Sequence, residues 1–355
     1  MKNFFNFFNS VVLETPEERE EKRRNLKKLF SKVFLALFLY IVAWNVLSTA
    51  VYVAAQLMLS PEEYQAFSGS YAVALVTSSV SQYLIAFPIF LITLIGTPKV
   101  QDRERQKLST KEFLLTFLAC ETLMYLGNIL GNLINNVFGT ISGNVPENDV
   151  NAIISNVPAW LTFLFAVVIA PIFEELIFRK LMTDRLSIYG DHMAILFTAV
   201  AFGIIHMNLY QFFYATMLGV ALGYVYTRTR DVRYTILLHM MVNFMGSVAI
   251  LPFEESIYKF YELTNAFASG ASVDLAELLY HGAMSALYDS IQIGMVIGGA
   301  IVLFNYIKKK KIHINRDKEL YLPDGDVIKY GLKNVGTILF IAISFILTLA
   351  NMLPK

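Results

Sequence analysis

Hydrophobic residues in this chain gather into long runs separated by short charged stretches. The runs cover 33–58, 72–96, 112–137, 157–181, 191–206, 209–227, 234–251, 285–307 and 335–352. Most match the roughly 17–25 apolar residues that a helix needs to cross about 30 Å of hydrocarbon. The pattern predicts nine spans, and hence an all-α polytopic transmembrane helical bundle of about eight or nine spans. Any active site would then lie in an intramembrane cavity.

The charges between the runs give a direction. Lys22, Arg23, Arg24, Lys27 and Lys28 precede the first run, and Lys99, Arg103, Arg105 and Lys107 follow the second. Lys180 and Arg185 follow the fourth, Arg228, Arg230 and Arg233 separate the sixth from the seventh, and Lys308 to Lys311 follow the eighth. The alternate connections are acidic or neutral: Glu62 and Glu63, Glu147 and Asp149, Glu254 and Glu255, Asp274 and Glu277. Positive charge accumulates on the cytoplasmic side, so a cytoplasmic N-terminus is expected.

This organisation predicts a cytoplasmic amphipathic and basic segment over 1–32, with Phe4, Phe5, Phe7 and Phe8 at its start. N-terminal transmembrane helices follow over 33–138, then a core over 157–251. An extracytoplasmic connection over 252–284 leads to C-terminal transmembrane helices over 285–355. Pro323-Asp324-Gly325-Asp326 predicts a turn.

Composition agrees with the pattern. Of 355 residues 56% are hydrophobic and 16% charged, against about a quarter charged in soluble domains. Net charge is +1, so nothing draws the chain to nucleic acid. A single cysteine, Cys120, excludes an internal disulfide and a cysteine-rich metal site. The start lacks the apolar core of a cleavable signal, and the end lacks a prenylation box.

Against this background several polar residues stand out inside the runs. The fourth run contains Pro171-Ile-Phe-Glu174-Glu175-Leu-Ile-Phe-Arg179. An acid near a span centre costs about 2.5–3.5 kcal/mol on insertion scales. Glu175 and Arg179 are four apart, on one helix face and able to pair, which leaves Glu174 for another task. A structural ion pair is the plain alternative. The fifth run ends Phe202-Gly-Ile-Ile-His206 and the seventh holds His239-Met-Met-Val-Asn243. The i, i+4 spacing puts each pair on one face. Interhelical hydrogen bonding explains such residues equally well. Two histidines and a glutamate also suit a zinc site, although no His-Glu-x-x-His motif is present.

Taken in order, Glu-Glu-x-x-x-Arg, Phe-x-x-x-His and His-x-x-x-Asn resemble the CPBP/Abi family, which includes the type II CAAX prenyl proteases. The three motifs span 171–243, about a fifth of the chain. The resemblance implies an intramembrane endopeptidase with Glu174, Glu175, Arg179, His206, His239 and Asn243 as catalytic residues. Glu174 and His206 would activate a water, Glu175 and Arg179 would support them, and His239 with Asn243 would stabilise the oxyanion. Glu174, His206 and His239 would be the ligands if a divalent metal, zinc foremost, took part. The implied partners are membrane lipid and a peptide or membrane-anchored protein substrate. The basic N-terminus and loops suit a bacterial cell membrane, and they suit an endoplasmic reticulum protein too. A non-catalytic immunity or regulatory protein of the same fold, and a proton-coupled transporter, remain as alternatives.

Three further features carry expectations. A nine-pass path sets His206 and His239 at different depths, so 191–206 and 209–227 must be short or tilted for the site to close. Glu121, Asn128, Asn132 and Asn135 fall on one predicted helix face, read as a packed or water-lined interior. Gly219 and Gly223 predict a close helix contact.

Overall fold

The computed structural model describes residues 15–100, 105–142, 155–309, 312, 314, 320 and 322–352. The Phe-rich start and the acidic pair Glu147 and Asp149 lie outside them. Among the described residues the chain is helical throughout, with no strand. Its helices are α1 (Pro16–Met58), α2 (Pro61–Ser68), α3 (Tyr71–Thr93), α4 (Thr110–Ser142), α5 (Ala159–Tyr189), α6 (Asp191–Ile204), α7 (Leu209–Thr229), α8 (Val232–Ser247), α9 (Leu251–Ala268), α10 (Leu275–Lys308), α11 (Asp324–Leu332) and α12 (Val335–Met352).

Each of the nine runs forms a helix, but among the described residues seven helical stretches are long and apolar enough to cross a membrane. α6 has 14 residues, too few to span, and the less apolar α7 is not among the seven. The basic segment before residue 33 and the first apolar run belong to one helix. α1 runs unbroken for 43 residues, opened by a capping box in which Thr15 and Glu18 satisfy each other's backbone N–H groups. The expected turn at 323–326 is instead the entrance to α11: Pro323 precedes it, and Asp324 and Asp326 lie in its first turn, where carboxylates favour the helix dipole.

The main core joins α1, α3, α5, α6, α11 and α12 through Phe30, Phe34, Phe90, Phe178, Phe202, Val327 and Phe340. A second cluster joins α4, α7 and α8 through Cys120, Leu218, Leu222, Leu238 and Val242. Small residues permit the tight crossings. A Cβ on Gly219 would stand 2.9 Å from the Ala199 backbone, and one on Gly223 would press on Ile195, so the pair seats α7 on α6 as its spacing predicts.

At the basic end of the bundle, Arg23 of α1 donates twice to Asp326 of α11, at 3.0 and 2.9 Å. His192 at the start of α6 meets Asp324 at 3.1 Å. These contacts tie α1 and the start of α6 to α11.

Candidate active site

α5 carries the two glutamates, and its backbone is irregular on both sides of them. Phe163–Ile169 and Leu176–Thr183 are π-helical and flank one α-helical stretch, Ala170–Glu175. Widened turns of this kind leave backbone carbonyls without their usual helical partner and recur at functional sites. Here side chains meet two carbonyls of these stretches. Asn243 Nδ2 donates to Ala166 O at 2.8 Å, and Thr183 Oγ1 donates to Phe178 O at 2.8 Å.

The depth question is settled by a hairpin. α5 and α6 meet at Gly190, whose φ of 103° requires glycine. Glu174 and His206 each lie sixteen residues from Gly190, one before it and one after. Running back alongside α5, the short α6 therefore returns His206 to the level of Glu174. The chain then turns through Met207, at φ 51°, and Asn208 caps α7 by accepting from the Tyr210 and Gln211 N–H groups.

The three motifs converge. Glu175 and Arg179 are fully buried, with Arg179 Nε 3.0 Å from Glu175 Oε2. The contact lies off the hydrogen-bond line, and Arg179 Nη1 and Nη2 have no hydrogen-bond partner among the described residues. The guanidinium instead lies over the Phe202 ring at 5.0 Å and near Phe178 at 6.0 Å, both cation–π distances. His239 Nδ1 meets the other oxygen of Glu175 at 3.1 Å, and its Nε2 lies 3.7 Å from Glu174 Oε2. His206 Nδ1 pairs with Phe202 O at 2.7 Å, which assigns its proton to Nδ1 and its lone pair to Nε2. Phe202 packs edge-on against both imidazoles, at 5.0 and 5.7 Å.

Glu174 keeps a fifth of its side-chain surface accessible, whereas Glu175 keeps none. The solvent-reachable acid is thus the one left unpaired by Arg179. Asn243 differs from expectation: one of its amide hydrogens is committed to Ala166 O, leaving at most the other for a reacting group.

Sequence reasoning missed several neighbours of the site. Tyr40 and Tyr214 pack in the same core cluster as Phe178 and Phe202, and Tyr83 borders Phe173, the residue before Glu174. Tyr83 stacks on Phe173 with centroids 4.6 Å apart and an interplanar angle of 17°. It sits in a further π-helical stretch, Ser81–Ala86. No spacing in the sequence singles these tyrosines out. The expected polar face of α4 divides: Glu121 and Asn135 are buried, while Asn128 and Asn132 are exposed and bonded to each other at 2.7 Å.

A divalent metal on Glu174, His206 and His239 would have suitable ligand chemistry. The spacing does not meet it: among the described residues no three His, Cys, Asp or Glu side chains are grouped so as to hold a metal ion.

Part of the chain, including this region, is similar to known proteins. The family described as Type II CAAX prenyl endopeptidase Rce1-like matches residues 156–245, which hold all three motifs. "Putative membrane peptidase YdiL" of Bacillus subtilis (strain 168) is 30% identical over 167 residues, 46% of this chain and 68% of that protein. "UPF0177 protein YbdI" of Lactococcus lactis subsp. lactis (strain IL1403) is 30% identical over 125 residues, 34% of this chain and 68% of that protein. No solved structure matches. The chain belongs to this family of CAAX-protease-like membrane peptidases, and it is an integral membrane protein.

Proposed function

We propose that the chain is a glutamate-dependent intramembrane endopeptidase that hydrolyses a peptide bond in a peptide or membrane-anchored protein. The observation that carries this reading is the meeting of Glu174, Glu175 and His239 inside the bundle, with His206 and His239 both packed on the Phe202 ring and Asn243 one helical turn beyond His239.

In this mechanism water sits between Glu174 and His206 Nε2. Glu174 takes a proton as the water oxygen attacks the scissile carbonyl carbon. The resulting tetrahedral oxyanion accepts hydrogen bonds from the Nε2–H of a doubly protonated His239, whose Nδ1–H is given to Glu175, and from the second amide hydrogen of Asn243. Each such donor is worth roughly 3–4 kcal/mol of barrier in other enzymes. Collapse breaks the C–N bond, and Glu174 returns its proton to the leaving amine. Glu175 holds His239 through Nδ1, and Arg179 compensates the buried Glu175 charge. No serine or cysteine stands in the motifs, so direct attack by water is favoured over an acyl-enzyme.

The loop charges and the two bacterial relatives support a bacterial cell membrane with the N-terminus and basic loops cytoplasmic. Residues 157–251 would then be the catalytic core, entered by substrate through the lipid. The reading is tested with purified protein in proteoliposomes and a library of membrane-anchored peptides, analysed by mass spectrometry in heavy-oxygen water. A cleaved peptide whose new carboxyl terminus carries the heavy oxygen supports it. No cleavage across peptides with and without a lipid anchor argues for a silent relative.

A further inference from the structure

Beyond the three motifs, a buried ionic cluster lies at the basic end of the same helices. Arg230, between α7 and α8, is buried and donates from Nη2 to Asp191 at 2.6 Å. Its Nη1 reaches Asp184 at 3.6 Å and Ser187 at 3.4 Å. Asp184 in turn accepts from the Tyr226 hydroxyl at 2.8 Å and pairs with Lys180 at 2.9 Å, while its backbone carbonyl accepts from Val100 N–H at 2.7 Å.

Two details raise this above ordinary glue. First, Arg230 has φ 51° and ψ 26°, a left-handed conformation that non-glycine residues avoid. Among the described residues only Met207, beside His206, shares a positive φ without being glycine. Such outliers persist where the surroundings fix them. Here the conformation ends α7 and coincides with a side chain turned inward onto two acids.

Second, the spacing matches the active site. Asp184 lies nine residues after Glu175 on α5, and Arg230 lies nine residues before His239 on the chain entering α8. With α5 and α8 running in opposite senses, Arg230–Asp184 and Glu175–His239 form two rungs of one ladder. Fixing the lower rung fixes the register of the upper one. A helix slid by one residue would carry His239 Nδ1 away from Glu175 Oε1.

We propose that Arg230, clasped by Asp184 and Asp191, is a positioning residue that sets the register of α8 against α5 and so holds His239 on Glu175. The inference deepens the peptidase reading, since it concerns the alignment of the oxyanion donor. It can nevertheless be tested without any substrate.

The test is ¹⁵N-histidine NMR of the full chain in nanodiscs. The chain has five histidines, and the His239 signal is assigned by its loss in His239→Gln. Arg230→Met, which keeps the volume, and Asp191→Asn, which removes one partner, should each abolish the hydrogen-bonded Nδ1–H signal of His239. The His281 signal, from a ring paired with Ser256 on α9, should stay in place, and Arg230→Lys should retain part of the His239 signal. A purely structural role would lower stability yet leave the His239 signal unchanged in the folded variants, and that result overturns the proposal. If Arg230→Met fails to accumulate, Asp191→Asn decides alone. Loss of the signal together with an inactive wild-type protein would leave the positioning role standing and the peptidase reading failed.

Discussion

His239 Nδ1 stands 3.1 Å from Glu175 Oε1, and the opposite oxygen of that carboxylate stands 3.0 Å from Arg179 Nε. One buried carboxylate therefore holds the imidazole on one side and answers a guanidinium on the other. This divides the labour between adjacent glutamates. Glu175 is committed on both oxygens, and Glu174 alone faces accessible space.

Removing one partner of that pair strands the other. Arg179→Met should destabilise the protein by about 3–5 kcal/mol, because an uncompensated carboxylate remains in the interior. Adding Glu175→Leu to the same chain should restore much of that loss while leaving the protein inactive. Unfolding in mild detergent, followed by circular dichroism, measures both.

Asn243 has two tasks that a single substitution separates. Asn243→Ala removes the bond to Ala166 O, worth about 1 kcal/mol between membrane helices. It also removes an oxyanion donor, whose loss lowers turnover by about 10²–10³-fold. A fall in kcat far larger than the stability loss explains is the expected result. A proportionate fall would make Asn243 a helix tie only.

Packing between α6 and α7 places His206, so crowding it should be felt at the site. Gly219→Val puts bulk against the Ala199 backbone, and overpacking of this kind costs about 1–3 kcal/mol. Gly246→Ala is the control. A Cβ there meets nothing within 4 Å, and alanine favours a helix over glycine by roughly 0.5–1 kcal/mol. Thermal unfolding should separate the two in sign.

Dialysis against a strong chelator should leave cleavage unchanged, since no three suitable side chains are grouped to hold a metal ion among the described residues. Loss of activity on chelation and its return with added zinc would show that Glu174, His206 and His239 close around a metal on binding it.

Much of this site was legible in the sequence, for reasons the structure makes plain. A carboxylate pair, two histidines and an asparagine in apolar runs are costly, and i, i+4 spacing preserves their faces whatever the helix does. The return of His206 to the level of Glu174 was legible only as a requirement. What meets it is Gly190 and a 14-residue α6, and a short apolar run does not announce that it stops inside the bundle. The π-helical turns of α5 carried no signal, because their stability comes from partners far along the chain, such as Asn243 for Ala166. The α4 asparagines misled for the same reason. Equal spacing placed Asn132 and Asn135 on one idealised face, but neighbouring helices bury one and leave the other exposed.

The central claim is that Glu174 is the base. The direct measurement compares wild type and Glu174→Gln in proteoliposomes, with a cleavable membrane-anchored peptide identified on the wild type. Peptide binding and thermal unfolding are followed alongside cleavage. Cleavage should disappear while binding and unfolding stay as they were. Cleavage that persists in folded Glu174→Gln at a rate near wild type would contradict it.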